Sequence, residues 1–157
     1  MRRWLTLTFV LPILSLAIVG EQRGPGPVLA AHGFLASLDR DQHRRTVLPF
    51  DSDYRTRWRY TPADRQGIAW KDLDPVQASM AHGLIKATLS DLGYMRTQTV
   101  RDIEHALSQI ENSPRRDKDN YLFTFFGAPD TTGKWGWRYE CHHISLNFTY
   151  DGEKMVS

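Results

Sequence analysis

Trp135-Gly136-Trp137-Arg138-Tyr139-Glu140-Cys141-His142-His143-Ile144-Ser145-Leu146-Asn147-Phe148-Thr149-Tyr150 decides how this chain folds and where it works. Read as one extended strand, alternation places Trp135, Trp137, Tyr139, Cys141, His143, Ser145, Asn147 and Thr149 on one face. The opposite face carries Gly136, Arg138, Glu140, His142, Ile144, Leu146, Phe148 and Tyr150. Its Ile144–Tyr150 end reads as a core stripe, so Arg138, Glu140 and His142 continue from a buried surface and need charge partners. Glu140 lies about 7 Å along the strand from Arg138 and from His142.

These residues support three readings. Glu140, His142 and His143 are candidate catalytic residues, as an acid and base tuned by burial with Arg138 orienting the carboxylate, or as ligands of a transition metal. On a regular strand adjacent His142 and His143 point to opposite faces, so they share an ion only if a bulge rotates one of them. Cys141 and His143, two residues apart, offer a thiolate–imidazole pair on the other face. The second reading is a small-molecule ligand site without catalysis, with Trp135 and Trp137 stacking on a flat ligand and Arg138 and Asn147 orienting it. The third is a structural Arg138–Glu140–His142 network. No paired Cys-x-x-Cys, glycine-rich phosphate loop or serine elbow narrows the choice.

Asp151-Gly152 is a tight turn signal, and Glu153–Ser157 leaves a short return strand, which reads as an interrupted hairpin and a sheet incomplete at the C-terminal side. Upstream, Tyr121-Leu122-Phe123-Thr124-Phe125-Phe126 is apolar on both faces and fits an inner strand closed by Gly127-Ala128-Pro129. Arg115-Arg116-Asp117-Lys118-Asp119 reads as a solvated loop. Val100, Ile103, Leu107 and Ile110 predict a helix over 97–111 with those residues inward. Asp74-Pro75-Val76-Gln77 is a capping-box start for a helix running to Leu92, with Gly93 as its left-handed stop. Those two helices should form a hairpin. Arg55–Tyr60 alternates as a half-buried strand with three arginines on one side, and residues 27–46 predict one helix ending before Pro49. The result is an α+β fold, with a helical hairpin and an N-terminal helix packed on a mainly antiparallel sheet.

With 157 residues, 41% of them hydrophobic, one domain is expected. Arg2 and Arg3 precede an apolar run from Trp4 to Val19, a signal-peptide pattern over 1–20, followed by a Gly/Pro spacer at 21–27 and the domain at 28–157. The expectation is export to the periplasm or outside the cell, with no stable membrane insertion after cleavage, since the run is shorter than the roughly 20 residues of a span. Removing residues 1–20 lowers Lys+Arg from 20 to 18 against 18 Asp+Glu, so the remaining chain is formally neutral. That balance argues against nucleic acid as a partner, which requires a basic footprint. Cys141 is the one cysteine, so no intramolecular disulfide can form.

Four motifs carry a family resemblance: Trp58-Arg59-Tyr60-Thr61-Pro62, Leu89-Ser90-Asp91-Leu92-Gly93-Tyr94, Phe125-Phe126-Gly127-Ala128-Pro129 and Trp135 through Phe148. They resemble the DUF3500 family, whose function is uncharacterised. In the last motif Trp135, Gly136, Trp137, Arg138, Glu140, His142, His143, Ser145, Leu146 and Asn147 match. The resemblance implies a longer protein, in keeping with the interrupted hairpin, and assigns no activity. Where the family pattern has Gly between the glutamate and the first histidine, this chain has Cys141. A glycine there would permit a bulge uniting the histidines, whereas cysteine adopts positive φ at higher cost.

Overall fold

The computed structural model describes residues 24–59, 63–113 and 116–157. The leader at 1–20, the first part of the spacer, Tyr60–Pro62 and Pro114–Arg115 lie outside the described residues. Helix α1, Pro27–Ser37, begins with proline at its first position and buries Val28, Ala31, Phe34 and Leu35. The predicted single helix over 27–46 breaks at Leu38, whose backbone is extended, and α2 runs Arg40–Thr46. Asp39 causes the break: its carboxylate accepts from the Asp41 and Gln42 amides, and Gln42 bonds back to the Asp39 N–H at 3.0 Å.

Helix α3, Pro75–Thr88, starts with the predicted Asp74/Gln77 capping box and packs chiefly on α1. It stops four residues before Leu92, because Leu89 is extended and Ser90 caps a new helix, α4, Asp91–Glu111. Gly93 is therefore not a stop; its N–H donates to Ser90 Oγ inside the first turn of α4. The face of α4 also differs from the periodicity reading. Ile103 and Ile110 are exposed, and Thr97, Arg101 and Glu104 are buried instead. Arg101 holds that rotation, donating to Asp119 Oδ1 at 2.7 Å and to the Lys118 carbonyl while lying over the Trp70 ring. The helix ends on Asn112 at φ 47°, where a left-handed residue releases the chain.

The strand read over 135–150 is two strands, β4 (Lys134–Glu140) and β5 (Ser145–Asp151), paired antiparallel with Glu140 opposite Ser145. Cys141–Ile144 reverses the chain between them, and the Cys141 N–H donates to the Ile144 carbonyl at 2.8 Å. The reversal changes the face parity. Trp135, Trp137 and Tyr139 now stand beside Tyr150, Phe148 and Leu146, while Arg138 stands beside Asn147. Trp135, Trp137 and Asn147 thus do not share a face. The aromatic ladder is core: Trp135 stacks on Tyr150 and Trp137 on Phe148, with both indoles essentially fully buried.

Strand β3 (Leu122–Phe126) lies beside β4, as its two-sided apolar character implied. Short strands β1 (Val47–Leu48), parallel, and β2 (Ile68–Ala69), antiparallel, also pair with β3, and β6 (Lys154–Met155) pairs with β5. The sheet is mixed and mostly antiparallel, and the fold is α+β. Between β5 and β6 the predicted turn is present, with Gly152 at φ 60°. The strand expected at 55–60 is absent among the described residues. Asp53–Thr56 is a single 3₁₀ turn capped by Ser52, and Trp58 is exposed. Local bonds prevail over alternation there: Tyr54 N–H to Ser52 Oγ, and Arg55 Nε to the Phe50 carbonyl.

His82 on α3 meets the Tyr94 hydroxyl at 2.9 Å and the edge of Trp70. Burial, then the Arg101 and Lys86 charges, lower its pKa below the ordinary value. Below about pH 6.5 the unfolded chain takes up a proton here that the folded chain does not, so stability falls as pH falls through that value. Urea unfolding across that range should show the loss, with a shallower slope in His82→Gln; identical slopes would exclude His82 as a contributor.

Candidate metal centre

Two buried carboxylates flank the β4–β5 turn, and their surroundings differ. Glu140, at the end of β4, lies on the sheet face that Tyr54 and Arg65 approach. Its Oε1 accepts from Tyr54 Oη at 2.6 Å and from Arg138 Nη1 at 3.3 Å, while Arg65 Nε lies 3.6 Å from Oε2. Arg138 in turn donates to the Arg55 carbonyl and to the Asn147 side chain. Burial and the Glu140 hydrogen bond raise the Tyr54 pKa, so its hydroxyl keeps the proton that it donates. This carboxylate is satisfied. The Arg138–Glu140 part of the expected network is present, but its further members are Arg65 and Tyr54, and His142 faces another carboxylate.

That second carboxylate is Glu104, fully buried on the inward face of α4. Its Oε1 lies 3.3 Å from His142 Nε2; its Oε2 lies 3.4 Å from His143 Nε2 and 3.7 Å from Arg116 Nη1. Neither oxygen accepts a hydrogen bond from the described residues. One ligand atom from each of Glu104, His142 and His143 falls within 4.8 Å of the others. The tight turn makes this possible. It brings the two imidazole centroids to 4.1 Å, where a continuous strand would have sent them to opposite faces. It does so without positive φ at Cys141, His142 or His143, so the turn needs no glycine at position 141.

The histidines present Nε2 to the centre. Burial, the largest influence, holds His142 below its ordinary pKa despite the raising effect of Glu104, so it is neutral at pH 7. Its Nδ1 meets Cys141 Sγ at 3.1 Å. His143 Nε2 lies 3.2 Å from Arg116 Nη1. Guanidinium only donates, so that contact requires an unprotonated Nε2 on His143. Arg116 is fixed by Glu111, which accepts from its Nε and Nη2 at 3.0 and 3.1 Å. The expected Cys141–His143 pair is replaced by Cys141–His142, and burial pushes the Cys141 thiol above its ordinary pKa, away from thiolate chemistry at neutral pH.

Two neutral imidazoles and one carboxylate form a donor set suited to Zn²⁺ or Fe²⁺, with coordination positions left over. The structure thus joins His142 and His143, as a shared site requires, and supplies Glu104 where the sequence offered Glu140. Glu104 escaped the sequence reading because its helix carries a stronger apolar pattern on the exposed side. A usable signal was the spacing of Thr97, Arg101 and Glu104, which puts three polar residues on one helical face.

Residues 25–157 match a family model described as a protein of unknown function, DUF3500. No curated protein and no solved structure matches the chain.

Proposed function

The chain belongs to the DUF3500 family, and from that premise we propose that it is an exported protein that holds one divalent transition metal on Glu104, His142 and His143. One observation carries the reading: a fully buried carboxylate with no hydrogen-bond donor among the described residues faces two imidazole Nε2 atoms at ligand-cluster spacing. The nearest cation to this buried carboxylate, Arg116 Nη1, lies 3.7 Å from one oxygen and makes no hydrogen bond to it, so its charge is only partly compensated, and a cation between the three groups would complete the compensation. When bound, such an ion supplies Lewis acidity, polarising an oxygen ligand at an open position. Glu104 and the two histidines would hold the ion, with Arg116 Nη1 giving up its contact to His143 Nε2, whose single lone pair serves one partner at a time; Cys141 fixes the His142 ring through Nδ1. Export is supported by the basic, apolar leader pattern at 1–20.

A second reading has its own support: Arg116 Nη1 lies 3.7 Å from Glu104, so the cluster can also serve as a structural ion pair. Metal analysis separates the two. The purified untagged protein, reconstituted with Zn²⁺ or Fe²⁺ and dialysed, is expected to retain close to one ion per chain. His142→Ala and His143→Ala should fold and lose it. A folded wild-type protein that retains no ion under either metal would end the metal reading and leave the ion pair.

A further inference from the structure

An apolar cleft of about 290 Å³ opens beside His143, walled by Leu89 and Val100 on one side and by Ile144 and Leu146 on the other. Positions 93, 97, 100 and 104 of α4 repeat at helical spacing, so the strip that lines the cleft through Val100 continues to Glu104 one turn further on, about 6 Å along the axis. His143 is the residue that the cleft and the ligand cluster share. Arg96 lines the same cleft, is exposed, and has no ion-pair partner among the described residues. Apolar walls, a metal ligand in the lining and a cationic residue beside them complement one kind of molecule.

Resting on the metal reading above, we propose that this cleft binds a small monocarboxylate with an apolar body. The body lies between Leu89, Val100, Ile144 and Leu146, and the carboxylate reaches the metal past His143. Arg96 attracts the anion as it approaches. Apolar walls without a matching row of donors select chain length over polar substitution, because each buried methylene adds severalfold in affinity.

Calorimetric titration of the zinc-loaded protein with acetate and with octanoate tests this, zinc content being read before either is added. Octanoate is expected to bind at least about tenfold more tightly than acetate, and Val100→Glu should remove that margin while zinc is retained. Stripping the zinc should weaken octanoate by a similar factor. Should Val100→Glu fail to fold, Leu146→Ser makes the same comparison. Full zinc with no preference for octanoate, or a preference that survives the folded cleft variant, overturns the cleft proposal and leaves the metal site standing. Absence of zinc overturns both, and the first reading of the assay identifies that case.

Discussion

Glu104→Gln is expected to lower affinity for a divalent metal by at least about a hundredfold while leaving the metal-free fold equally or more stable. Gln keeps the shape of the side chain and removes its charge, and that charge lies fully buried without a hydrogen bond. The amide can also donate to a histidine, which a carboxylate cannot. Chelator competition gives the affinity, and thermal unfolding in excess chelator gives the stability. If Glu104 serves as the anchor of an ion pair with Arg116, the same change should instead lower the stability measured in chelator. That outcome, with metal affinity unchanged, would refute the assignment.

Glu140→Gln should behave in the opposite way, costing about 3–5 kcal/mol while metal content stays near that of the parent. Here the negative charge is in use: Tyr54 and Arg138 bond to it, Arg65 lies within ion-pair distance, and Arg138 is nearly fully buried. Neutralising the carboxylate leaves a buried guanidinium without its counter-charge, in a cluster that ties Tyr54 and the Arg55 carbonyl to the sheet. Urea unfolding combined with metal analysis reads both quantities. A Glu140→Gln chain of normal stability that loses its metal would reverse the roles of the two carboxylates.

The α+β class, the Asp74 capping box, the inner strand around Phe123 and the Asp151-Gly152 turn follow from local sequence patterns, and each is present. Two members of the candidate cluster, His142 and His143, stand in the motif that drew attention in the sequence, although Glu140 beside them lies outside the cluster. The geometry of the cluster was not legible. Cys141-His142-His143-Ile144 contains none of the residues that usually announce a hairpin turn, and it reverses without positive φ, so alternation seemed to run straight through. Glu104 was hidden differently. Ile103 and Ile110 set the apolar period of α4, yet both face outward, and Arg101 with Asp119 turns the polar stripe inward. Asp39 and Ser90 each divided a helix that periodicity alone would have continued, since a side-chain cap competes locally with the next turn.

The β4–β5 turn also sets an order of assembly. A hairpin of neighbouring residues closes in about 1–10 μs, so His142 and His143 can meet early, before distant parts of the chain are in place. Glu104 reaches them only when α4 docks against the sheet, a long-range event that carries a larger loop-closure cost. The two imidazoles are thus a local fixture and the carboxylate a late arrival. An ion entering during folding would be captured weakly by the hairpin and locked when the helix seats. On the proposed metal reading, release from the finished protein would follow the opening of α4 from the sheet, making the off-rate of the ion a direct clock for that motion.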